Sequence, residues 1–104
     1  MGEKYSQSLR LRKLCELLSQ ISDELDSDGK TDTATFFRER RQFFLAHSKE
    51  THELREALTF LSRSAPLAQY ASFSQKQFIL FSKILDLCLE ILDRGVEQHE
   101  VGTR

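Results

Sequence analysis

The densest group of side chains that could do chemistry is the run Phe36-Phe37-Arg38-Glu39-Arg40-Arg41-Gln42-Phe43-Phe44, three guanidinium groups flanked by two phenylalanine pairs. Guanidinium groups neutralise phosphates and exposed aromatic rings stack on bases, so a nucleic-acid surface could be built from these types. Such a regulator would add Lys49 or Arg55 and align two basic patches by dimerisation. Two features oppose it. Glu39 interrupts the cluster, and a net charge of −1 gives no overall positive field to hold a polyanion. Arg40 falls on the apolar side of its helix. There it would snorkel, pair with a carboxylate such as Glu50, or anchor a protein partner.

A second group is His47-Ser48-Lys49-Glu50-Thr51-His52. His47 and Glu50 could share a helix face, but on a continuous helix His52 would point about 140° away from His47. Neither HExxH nor ExxH occurs, and His99 is remote in sequence, so no metal site is expected. Neither Cys15 nor Cys88 has a histidine close in sequence to activate it. Phosphate-cradling loops need clustered glycines, and the four present are scattered. No catalytic residue and no cofactor is expected, and the chain is read as a non-enzyme.

Met1-Gly2-Glu3-Lys4-Tyr5-Ser6 fits the N-myristoylation template, with Arg10, Arg12 and Lys13 as an electrostatic second signal. Glu3 beside the acceptor glycine argues against it. No stretch approaches the roughly 20 apolar residues of a membrane span. Two cysteines far apart inside apolar runs fit buried thiols in a reducing cytoplasm better than a disulfide framework.

The elements that must carry these residues are helices. Eight Phe in 104 residues, one Pro and four Gly imply few turns and a single all-α domain. Leu11, Leu14, Leu18, Ile21 and Leu25 recur at three-four spacing, which predicts a helix over about 7–26 with one buried seam. Asp26-Ser27-Asp28-Gly29 ends it. Basic residues crowd its start and acidic ones its end, against the helix dipole, so packing must hold it.

From 32 to 63 there is no Gly or Pro, and Phe36, Phe37, Phe43, Phe44, His47, Leu54, Ala57, Leu58 and Leu61 stay in phase. One continuous helix of about 45 Å is predicted, with Thr31, Asp32 or Thr33 as cap. The rival reading breaks it near Ala46–Lys49. A short helix over 65–71 follows Ser64-Ala65-Pro66. Ser74-Gln75-Lys76-Gln77 reads as a capping box opening a last helix over 74–95, closed by Gly95.

In that last helix eleven of the fifteen residues from Phe78 to Leu92 are apolar. Ser82, Lys83, Asp86, Glu90 and Asp93 share one band roughly 100° wide, which only Ile79 interrupts. Hydrocarbon covers the rest. A helix apolar over so wide an arc is buried on more sides than two neighbours can cover. The expected architecture is an antiparallel bundle of three long helices plus a short connecting helix, or four helices if 32–63 is broken, completed by dimerisation.

The expected function is that of a non-enzymatic protein-interaction module, a small helical regulator, adaptor or chaperone-like protein, with a homodimer as the first partner. Phe78, Phe81, Leu85, Leu89 and Leu92 would form the main seam, with Phe36, Phe43, Phe44 and Arg40 as the second candidate surface. The alternatives are the nucleic-acid regulator above and a bundle whose Phe-lined interior holds an apolar small ligand.

Overall fold

A computed structural model describes residues 9–47 and 51–95 of the chain. Met1–Ser6, Lys49, Glu50 and His99 lie outside the described residues. Five helices follow in order, with no strand among the described residues: α1 (Leu9–Ser27), α2 (Thr31–Ala46), α3 (His52–Ser62), α4 (Leu67–Tyr70) and α5 (Gln75–Arg94). α1 packs against α2 and α5, and α3 packs against α5.

The α1 seam is buried as its spacing requires: Leu11, Leu14, Leu18, Ile21 and Leu25 have no exposed surface. Ser22 shares that face without cost to hydrogen bonding, because its hydroxyl donates to the Leu18 carbonyl at 2.7 Å. The charges that oppose the α1 dipole find partners on neighbouring elements. Arg10 meets Glu90 at 2.8 Å, and Glu24 meets Lys76 at 2.9 Å. Arg38 of α2 reaches Asp26 and, at 3.7 Å, Asp23. Each pair is partly solvated and adds little to stability. Together they fix which ends of the helices meet. Gly29 adopts φ +76° at the end of α1, a conformation costly for other residues, and Lys30 N–H then donates to the Leu25 carbonyl at 2.8 Å.

α2 begins at Thr31 itself, preceded by Lys30, and no side chain caps it. None of Thr31, Asp32 and Thr33 takes the cap position, because the tight turn already brings the Lys30 backbone there. The continuous 32–63 helix does not form. α2 stops at Ala46, and His47 leaves helical geometry with φ −125° and ψ 86°. Its ring stacks on Phe43 with centroids 4.0 Å apart, and its Nδ1 lies 2.8 Å from the Phe43 carbonyl, a group that helix ends leave without a partner. α3 restarts with Thr51 as cap, its side-chain oxygen accepting the Leu54 N–H at 3.1 Å. The physical reason is tertiary. The break lets Leu54, Leu58 and Leu61 become wholly buried on a helix that packs against α5. Burying three leucines is worth several kcal/mol, more than the few helical hydrogen bonds given up.

α5 opens with both halves of the capping box, Gln77 N–H to Ser74 Oγ at 3.2 Å and Ser74 N–H to Gln77 Oε1 at 2.9 Å. Gln77 is buried and does more than cap. Its Oε1 also accepts from Lys30 Nζ at 3.0 Å, and its Nε2 donates to Asp28 Oδ2 at 3.2 Å. Lys30 in turn donates to the Ser72 carbonyl at 2.6 Å. This polar clamp joins the α1–α2 turn to the start of α5. Inside it, Phe37, Phe73 and Phe81 form an aromatic cluster, with Phe81 edge-on to Phe37 (5.7 Å) and to Phe73 (5.2 Å).

Candidate functional site

Among the described residues, two groups of exposed apolar side chains stand out once the core is accounted for. The first is a stripe on α5. Leu80, Phe81, Ile84, Cys88 and Ile91 are buried and occupy an arc of roughly 100°. Beside them Phe78 and Leu89 are 53% and 55% exposed, while Leu85 and Leu92 are half-buried. These four fall within an arc of roughly 60° along the helix. Ile79, Lys83, Asp86, Glu90 and Asp93 are exposed on the opposite side, as the polar band requires.

The second is a groove of about 850 Å³ lined by α3, α4 and Phe36 of α2. Its floor is the ring pair Phe36–Phe60, centroids 6.2 Å apart and tilted 49°, with Leu67 and Tyr70 beside it. Phe60 is 58% exposed and Tyr70 86%. The Arg40 guanidinium lies 4.9 Å from the Phe36 ring centre and 5.9 Å from that of Phe60. This is cation–π geometry.

The nine sequence-derived interface candidates therefore divide. Phe44 and Phe81 are core residues, 0% and 1% exposed, and so cannot meet a partner in the folded chain. The reason is rotation about the helix axis: Phe81 faces Phe37 and Phe73, whereas Phe78 lies about 60° away on the outer edge. Phe78, Leu85, Leu89 and Leu92 form the α5 stripe. Phe36 and Arg40 belong to the groove, and Phe43 is half-buried against His47 and Phe44. Three groove residues, Phe60, Leu67 and Tyr70, carry no sequence signal of their own, since only the tertiary fold brings them to the same groove as Phe36.

The three arginines of the basic cluster have different surroundings. Arg38 is hydrogen-bonded to Asp26, whose carboxylate raises its pKa further above the ordinary arginine value. Arg40 lies on two rings. Arg41 turns inward instead, its Nε buried with no hydrogen-bond partner. Its position between Ala34 and Phe44 on the buried arc of α2 was the available sequence signal.

His52 Nε2 meets Glu56 at 3.1 Å on an exposed face of α3. Among the described residues no three His, Cys, Asp or Glu side chains gather where a metal ion could sit. Burial pushes the Cys88 thiol up to about 12, which keeps it protonated and a poor nucleophile. Cys15 is buried as well. No helix among the described residues is long and apolar enough to cross a membrane. The chain matches no known family, no curated protein and no solved structure.

Proposed function

We propose that this chain is a non-enzymatic protein-interaction module, a helical bundle of the regulator, adaptor or chaperone-like kind, which self-associates through α5. The observation that carries the reading is the stripe of Phe78, Leu85, Leu89 and Leu92, two of whose members are more than half exposed. Four large apolar residues in line along one helix make the seam of a helix pair. A stripe meeting its own copy about a two-fold axis forms a closed dimer, the commonest oligomer. A chain of 104 residues also gains from association, since small domains bury a limited share of their surface alone.

Sedimentation equilibrium across the micromolar range tests it. Native protein should pass from monomer to dimer, and Leu89→Asp should give a folded, soluble monomer. Phe44→Asp should instead lose the fold, because a charge would enter the core. A native chain that stays monomeric at about 100 μM, where weak dimers of this kind form, would remove the reading.

A further inference from the structure

We propose that the groove beside α3 receives an acidic amphipathic helix from a partner protein. The proposal rests on the interaction-module reading and adds a second face, distinct from the α5 stripe, together with the chemistry of what docks there.

The groove's shape favours a helical segment over a small molecule. Small-ligand sites enclose most of their occupant. Here Phe60 and Tyr70 stand more than half exposed, so the floor is open along its length. That length is set by α3, whose eleven residues run about 16 Å, three turns of an opposing helix. A partner would place apolar anchors at i, i+3 or i+4, and i+7 over Phe36, Phe60 and Leu67.

Charge decides the sign of the partner. Arg55 and Arg63 line the groove, Arg55 also donating to the Leu92 carbonyl at 3.1 Å, and Arg40 lies across its aromatic floor, whereas Glu56 is the one lining carboxylate among the described residues. Glu39, beyond the rim, lies 3.9 Å from Arg40, so among the described residues three guanidinium groups stand against two carboxylates. The excess is positive on a chain whose net charge is −1, so it is a local feature. A guanidinium stacked on rings keeps its in-plane N–H groups, which suit a carboxylate arriving from the side. Carboxylates flanking an apolar stripe would meet the arginines as the stripe meets the floor. A second copy placing its α5 stripe here would make a head-to-tail contact, which grows into open chains unless its rotation happens to close.

The test uses two fluorescein-labelled peptides of about 18 residues, long enough to form helix. Both carry the same Leu and Phe stripe, one flanked by Glu and the other by Lys. Anisotropy titrations with the full chain should show saturable micromolar binding of the acidic peptide, about tenfold tighter than the basic one and weakening with added salt. Tyr70→Ala and Arg63→Glu, both at exposed positions, should weaken binding several-fold while far-UV circular dichroism stays native. Leu89→Asp should bind the acidic peptide like the native chain, which separates this groove from the self-association seam. Equal binding of both peptides, no saturation with the acidic one, or loss of binding in Leu89→Asp but not in Tyr70→Ala would each overturn the proposal. Dissociation of a native oligomer by Tyr70→Ala would also overturn it, since a second copy would then be the occupant.

Discussion

Phe78 and Phe81 lie three residues apart on α5, yet the structure gives them opposite environments, and that contrast yields a quantitative prediction. Phe81 is 1% exposed and contacts the rings of Phe37 and Phe73, whereas Phe78 is 53% exposed. Truncating a fully buried Phe to Ala costs about 3–5 kcal/mol, from lost transfer energy and the cavity left behind. A domain of this length has a total stability of about 5–15 kcal/mol, so Phe81→Ala removes a large share. Phe78→Ala loses only the half of its side chain that is covered, about 1 kcal/mol. The better helix propensity of Ala returns about 0.5 kcal/mol of that. The two variants should therefore differ by about 2.5–4.5 kcal/mol. With a urea m-value of about 1.5 kcal/mol/M, Phe81→Ala should unfold about 1.7–3 M earlier than Phe78→Ala. Urea titrations followed at 222 nm, at low protein concentration, measure this directly. If the α5 stripe pairs, the cost of Phe78→Ala should grow with protein concentration, and that of Phe81→Ala should not grow in the same proportion. Equal midpoints at low concentration, or a Phe81→Ala cost below about 1 kcal/mol, would refute the assigned rotation of α5.

Both thiols should resist Ellman's reagent in the native protein and appear together as urea unfolds it, since Cys88 is wholly buried with its pKa pushed up to about 12 and Cys15 is buried too; prompt labelling under native conditions would contradict that packing. Hydrogen bonds from Lys30 and then Gln77, with the Lys30 charge, hold the Asp28 carboxyl below its ordinary range. A depressed pKa contributes stability that is present above the unfolded value and lost as pH falls through the folded one. Asp28→Asn should thus lower stability at neutral pH and flatten the loss below about pH 4, measured as urea midpoints across the acid range. Arg41→Met removes a buried donor that has no partner while keeping the apolar stem, so it should be neutral or stabilising by up to about 1 kcal/mol. A loss above that by the same titration would show that the guanidinium is anchored elsewhere.

The amino-acid sequence by itself determined the helical class, the buried seam of α1, the capping box of α5 and the wet strip at Lys83, Asp86 and Glu90. Each is local, because a helix repeats every 3.6 residues and a cap needs only its neighbours three residues on. The arc of Phe78–Leu92 was also visible as too wide for one neighbour, but not its division. Which part faces Phe37 and Phe73 depends on how α1 and α3 pack against α5, and no periodicity within α5 encodes that. The break between α2 and α3 stood in the sequence only as the rival reading, near Ala46–Lys49, for a related reason. The apolar phase runs on across it without Gly or Pro, so local propensity favours a single rod. Only the burial of Leu54, Leu58 and Leu61 in the folded chain outweighs the helical hydrogen bonds lost. The groove follows from that break. Phe36 and Phe60 stand 24 positions apart in sequence, and their rings meet at 6.2 Å because α3 leaves the line of α2 and packs against α5.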